Sequence, residues 1–73
     1  MQVGVGDLVR PKHRVSFGVQ LSVEPSDVGL VLQVWEPTIR NPYGAAEVRF
    51  SGNREASLMW KELEVISKGR GND

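Results

Sequence analysis

The sequence predicts a small all-β domain whose five short strands curl into a barrel. Three observations carry that expectation. Ala46-Glu47-Val48-Arg49-Phe50 alternates apolar and polar residues with a period of two, the signature of a half-buried strand. Pro11, Gly18, Pro25, Pro37, Pro42, Gly44 and Gly52 break the chain at intervals too short for long helices. No stretch shows apolar residues recurring at helical spacing. A small sheet hides its edges best by closing on itself, which favours a barrel over an open sheet.

The elements follow in order. Gly6-Asp7 reads as a turn that feeds a first strand, Leu8-Val9-Arg10. Pro11 has no N–H to give a ladder, so the strand ends there or continues as an edge. Residues 11–27 form a long connection, yet Val15 to Val23 places its apolar residues at odd positions, so it folds back as a short irregular hairpin. Val28 to Trp35 is the strongest strand, β-branched and nearly continuously apolar. Pro37 to Gly44 is the second long connection. Ala46 to Phe50 and Glu55 to Trp60 are two strands joined by the tight turn Ser51-Gly52-Asn53. Trp60 to Leu63 fits one turn of 3₁₀ helix, and Leu63 to Ile66 a last short strand. Lys68 to Asp73 holds no apolar residue and reads as a solvated tail. The expected organisation is one domain over 1–67 and a flexible tail over 68–73.

Composition narrows the function. The 73 residues carry nine Lys+Arg and nine Asp+Glu, a formal net charge of zero, with one His and no Cys. There is thus no disulfide framework, thiolate nucleophile or zinc knuckle to build, and no poly-His metal cage. Balanced charge argues against a polyanion-binding protein driven by bulk electrostatics. No apolar run reaches the ~18 residues of a membrane span, and no basic-then-apolar leader opens the sequence. A chain this short buries only about 60% of its unfolded surface and has little volume for a deep pocket. The expectation is a protein without enzymatic activity, cofactor, metal or small-molecule substrate, in a reducing cytoplasm or a virion and not in a membrane.

Val5-Gly6-Asp7-Leu8-Val9-Arg10 resembles the opening strand of SH3-like barrels, with their Gly-Asp-x-Val signature. Asp27-Val28-Gly29-Leu30-Val31-Leu32-Gln33-Val34 resembles the Gly-x-Val-x-x-Val strand that follows the long first loop. Ala46 to Phe50 with Glu55 to Trp60 is similar to the central hairpin, and Trp60 to Ile66 to the closing 3₁₀ turn and final strand. The order of these features, over about residues 3–67, resembles KOW-type and mind-bomb-type SH3-like modules and the small SH3-like proteins of tailed bacteriophages. It departs from the KOW pattern in the long stretch between Gly6 and Gly29. It also departs from Pro-rich-peptide readers, whose aromatic-rich loop pair it lacks. The resemblance implies an SH3-like barrel serving as a binding module in a larger assembly, with a protein as partner.

Candidate contact residues lie on the two long connections. Arg10-Pro11-Lys12-His13-Arg14 is the one dense basic cluster, offset in sequence by Glu24 and Asp27. Arg10, Lys12, Arg14 and Arg40 would meet phosphates if the partner were nucleic acid, with Trp35 or Tyr43 stacking on bases. That is the alternative function. Phe17, Trp35 and Tyr43 form the expected apolar patch for a protein partner. Phe50 and Trp60 fall in core-facing phase. Gly4-Val5-Gly6 precedes no helix, so it is no dinucleotide loop. His13 and the scattered serines lack the partners that nucleophilic catalysis needs.

Overall fold

A computed structural model describes residues 3–18 and 21–69 of the chain. Its strands are β1 (Leu8–Pro11), β2 (Val15–Phe17), β3 (Leu21–Val23), β4 (Gly29–Trp35), β5 (Ala45–Phe50), β6 (Arg54–Met59) and β7 (Leu63–Ser67). A 3₁₀ turn over Ser51–Asn53 joins β5 to β6, and a second over Trp60–Glu62 joins β6 to β7. The architecture is all-β. Five strands make one antiparallel sheet in the order β6-β5-β4-β1-β7, and β2 pairs with β3 as a separate hairpin.

The closed barrel is corrected. Among the described residues no ladder joins β6 to β7, so these two remain the edges of an open sheet. The reason lies in the second 3₁₀ turn. It carries the chain away from β6 and delivers β7 to the free side of β1, where Arg10 faces Glu64 and Pro11 faces Leu63. Pro11 sits where the missing N–H costs nothing, because the β4 ladder has already ended at Val9 opposite Gly29.

The core forms on one face of the sheet. Val9, Val31, Ala46, Val48, Phe50, Leu58 and Leu63 are buried there, with Val3, Val23 and Trp60 closing its margins. Ala46, Val48 and Phe50 are buried and alternate with Glu47 and Arg49 along β5, as the period of two requires. One irregularity shifts the phase of β4. Val31 faces Val48 but Gln33 faces Glu47, so Leu32 is an extra residue in a β-bulge. Beyond it Val34 turns inward opposite Ala46, and Trp35 turns outward opposite Ala45. The β5–β6 turn closes through Gly52 and Asn53, both at positive φ (79° and 60°), residue types that accept this region at low cost.

Lys68 and Gly69, placed in the tail by their lack of apolar neighbours, are tied to the start of β1. The Lys68 ammonium donates to Asp7 Oδ2 at 2.9 Å and the Gly69 amide to Asp7 Oδ1 at 2.6 Å. Residues 70–73 of that expected tail, and Val19 and Gln20 of the expected hairpin, lie outside the described residues.

Candidate functional site

Three chain segments converge beyond the end of β1. Lys12 follows Pro11 directly, and its amide donates to the Glu62 carbonyl at 2.8 Å, which fixes the start of the first connection against the second 3₁₀ turn. That turn is held by the Glu62 carboxylate, which accepts the Met59 amide at 3.0 Å. Trp60 locks the third segment. Its amide donates to the Gly44 carbonyl and its indole Nε1–H to the Ala45 carbonyl, both at 2.8 Å. The indole lies so close to Gly44 that a Cβ there would collide with its ring, so this position requires glycine.

The second connection is bonded internally. Thr38 N donates to Asn41 O at 2.7 Å, Asn41 N to Thr38 Oγ1 at 3.0 Å, and Tyr43 N to Asn41 Oδ1 at 3.3 Å. These bonds present the half-exposed Tyr43 ring beside the 3₁₀ turn, where the Lys61 ammonium sits 4.6 Å from its centroid in a cation–π contact. Lys12, Pro42, Tyr43, Gly44, Trp60 and Lys61 together line an open cleft of about 320 Å³. A second, wider groove on the other side of the same connection is lined by Val34, Trp35, Glu36, Thr38 and Asn41 among others.

The expected contact residues are therefore distributed. Lys12 and Tyr43 share the cleft. Trp35 lines the second groove instead, because the β4 bulge turns it outward. Arg10 points to the outer face of the sheet and pairs with Glu64 at 3.0 Å. Phe17 is half-buried against the core margin. Arg14 and Arg40 are exposed and line neither cavity. Lys61 and Trp60 complete the cleft. In sequence Trp60 reads as core, and Lys61 as one charge of a mixed surface, because nothing local brings them to Tyr43.

Pairing sorts the charges of this neutral chain. Arg49 meets Glu55 at 2.8 Å, Arg54 meets Asp27 at 3.2 Å and Lys68 meets Asp7 at 2.9 Å. Among the described residues, Lys12, Arg14, Arg40 and Lys61 enter no ion pair. The carboxylates in these pairs respond. Burial pushes the Asp7 carboxyl up, but the hydrogen bonds from Lys68, Gly4 and Gly69 outweigh it and hold the pKa below the ordinary Asp value. The Glu24 amide, with Arg54 behind it, lowers Asp27, and Arg49 lowers Glu55.

Among the described residues no group of three or more His, Cys, Asp and Glu side chains could hold a metal ion. Among the described residues no helix is long and apolar enough to cross a membrane. No protein-family model, no curated protein and no solved structure matches this chain.

Proposed function

We propose that this chain is a non-catalytic binding module of SH3-like architecture that docks a protein partner through the cleft between Lys12, Tyr43 and Lys61. The strand order β6-β5-β4-β1-β7, the hairpin within the first long connection and the 3₁₀ turn before the last strand support the SH3-like reading. The observation that carries the function is the cleft itself. Its walls are held in place by backbone bonds from three segments, while its lining offers aromatic and apolar surface with a charged rim, the composition of a protein-recognition patch. Such a preformed surface binds with little reorganisation. The module would then serve as an accessory or structural part of a larger assembly.

The alternative, a nucleic-acid-binding barrel, draws on one observation: Lys12, Arg14 and Arg40 have no acidic partner among the described residues. Net neutrality and the engagement of Arg10 with Glu64 weigh against it. Selection of a displayed random-peptide library on the immobilised protein tests the main reading. Peptides that bind the wild type and lose binding to Tyr43→Ala are the expected result. No enrichment, together with salt-sensitive amide shifts at Lys12 and Arg14 on adding single-stranded RNA, would replace the protein-binding reading with the nucleic-acid one.

A further inference from the structure

Resting on the protein-binding reading, we infer that the cleft selects an acidic peptide: an extended segment in which an apolar residue is flanked by Asp or Glu. The inference comes from which polar groups at the cleft are still free. The Lys12 and Trp60 amides are bonded to Glu62 and Gly44 carbonyls, the Trp60 indole N–H to Ala45, and the Tyr43 amide to Asn41. The Glu62 carboxylate, on the same 3₁₀ turn as Lys61, is turned to the Met59 amide and does not line the cleft. The charge in the lining is positive, from Lys12 and Lys61. Neither has an ion-pair partner among the described residues.

Charge complementarity therefore calls for an anion, and the floor decides which kind. Pro42, Gly44 and Trp60 add apolar surface to the same open cleft of about 320 Å³, room enough for a side chain of the ligand. A peptide supplies both features together, carboxylates for the lysines and an aliphatic or proline residue for the floor. A phosphodiester strand asks for something else: a continuous basic track and, for tight phosphate recognition, forked guanidinium groups or free backbone amides. Here the arginines nearest in sequence do not join the lining. Arg10 is paired with Glu64 on the outer face, and Arg14 and Arg40 are outside the cleft. Lys61 also holds the Tyr43 ring through its cation–π contact, so ring and charge are presented as one unit.

The test is an NMR titration of the ¹⁵N-labelled protein with four probes at physiological salt. These are a peptide alternating Glu and Leu around a central proline, its Gln-for-Glu isostere, its Lys-for-Glu counterpart, and a single-stranded DNA of matched negative charge. The expected result is shifts at the Lys12, Tyr43, Gly44 and Lys61 amides and the Trp60 indole N–H with the acidic peptide, and binding about tenfold weaker for the Gln isostere. Lys12→Gln with Lys61→Gln should remove that difference while the thermal melt stays near wild type, both side chains being exposed. Lys61→Glu should shift preference toward the Lys peptide, a reversal that a merely structural lysine would not produce. Equal binding of acidic and Gln peptides at the cleft would overturn the acidic preference and leave the protein-binding reading standing. Tighter binding of the DNA, or no response of the cleft to any peptide, would overturn both.

Discussion

The two ends of β1 are built in opposite ways. At its start Asp7 is fully buried, and its carboxylate accepts hydrogen bonds from the Gly4 amide, the Gly69 amide and the Lys68 ammonium. Its own carbonyl accepts the Val31 amide, so nothing polar there is left over. At its far end Lys12 and Lys61, neither in an ion pair among the described residues, line an open cleft, while the Lys12 and Trp60 amides are held by the Glu62 and Gly44 carbonyls. A buried carboxylate with donors on both oxygens ties together the chain segments that supply them. Exposed charges of one sign, fixed beside apolar surface, are what a binding site needs. The same short strand connects a clasp to a site.

Removing the clasp gives the largest expected effect. Asp7→Ala leaves the buried Gly69 amide without its acceptor and removes the bond from Lys68 to Asp7, a loss of about 3 kcal/mol. In a chain of this size that lowers the melting temperature by roughly 15 °C. The acid side of the stability curve provides an independent check. The folded Asp7 pKa lies below its unfolded value, so the unfolded chain binds more protons. The contribution is complete above the unfolded pKa and is lost as pH falls through the folded one. Asp7→Asn should flatten the stability profile below about pH 5. An unchanged melt for Asp7→Ala, or an unchanged acid slope for Asp7→Asn, would remove the clasp from the comparison.

Gly44→Ala probes the other end and comes next in size. A methyl group there must displace the Trp60 ring, at a cost of about 2 kcal/mol by overpacking. The signature that separates it from Asp7→Ala is local. Trp60 Nε1–H loses its bond to Ala45, so its proton resonance should move and its exchange with solvent accelerate, while the Gly69 amide stays protected. Equal disturbance of both signals would mean that the two ends are not independent.

Much of the sheet is legible in the sequence. The period of two marks β5 and β6, the β-branched run marks β4, and the Gly52-Asn53 turn marks the hairpin between them. The short β2–β3 hairpin follows from the odd-position apolar residues. What local pattern cannot reach is pairing across long separations. Asp7 meets residues 61 and 62 positions away, and nothing near it in sequence announces a buried carboxylate. Closure of the sheet fails for a related reason, because the direction taken by β7 depends on the 3₁₀ turn and not on the residues of β7. In the candidate site, Lys12 and Tyr43 stand out as basic and aromatic residues on long connections. Lys61 joins them only through the Trp60–Gly44 contact. Trp35 leaves them because one extra residue in β4 reverses its face.

The smallest effect belongs to the residue pair that looked alike in sequence and is divided in space. Arg10→Ala with Lys12→Ala should change stability by less than about 1 kcal/mol, because the Arg10–Glu64 pair is half-exposed and Lys12 is held by its backbone amide rather than its side chain. Stability is therefore a poor way to separate them, and binding of the acidic peptide is a good one. Lys12→Ala alone should weaken that binding, whereas Arg10→Ala alone should leave it unchanged, since Arg10 is paired with Glu64 and does not line the cleft. Equal losses from the two single variants would show that the ligand reads the basic stretch as a continuous track. The cleft would then be one end of a longer electrostatic surface and not the site itself.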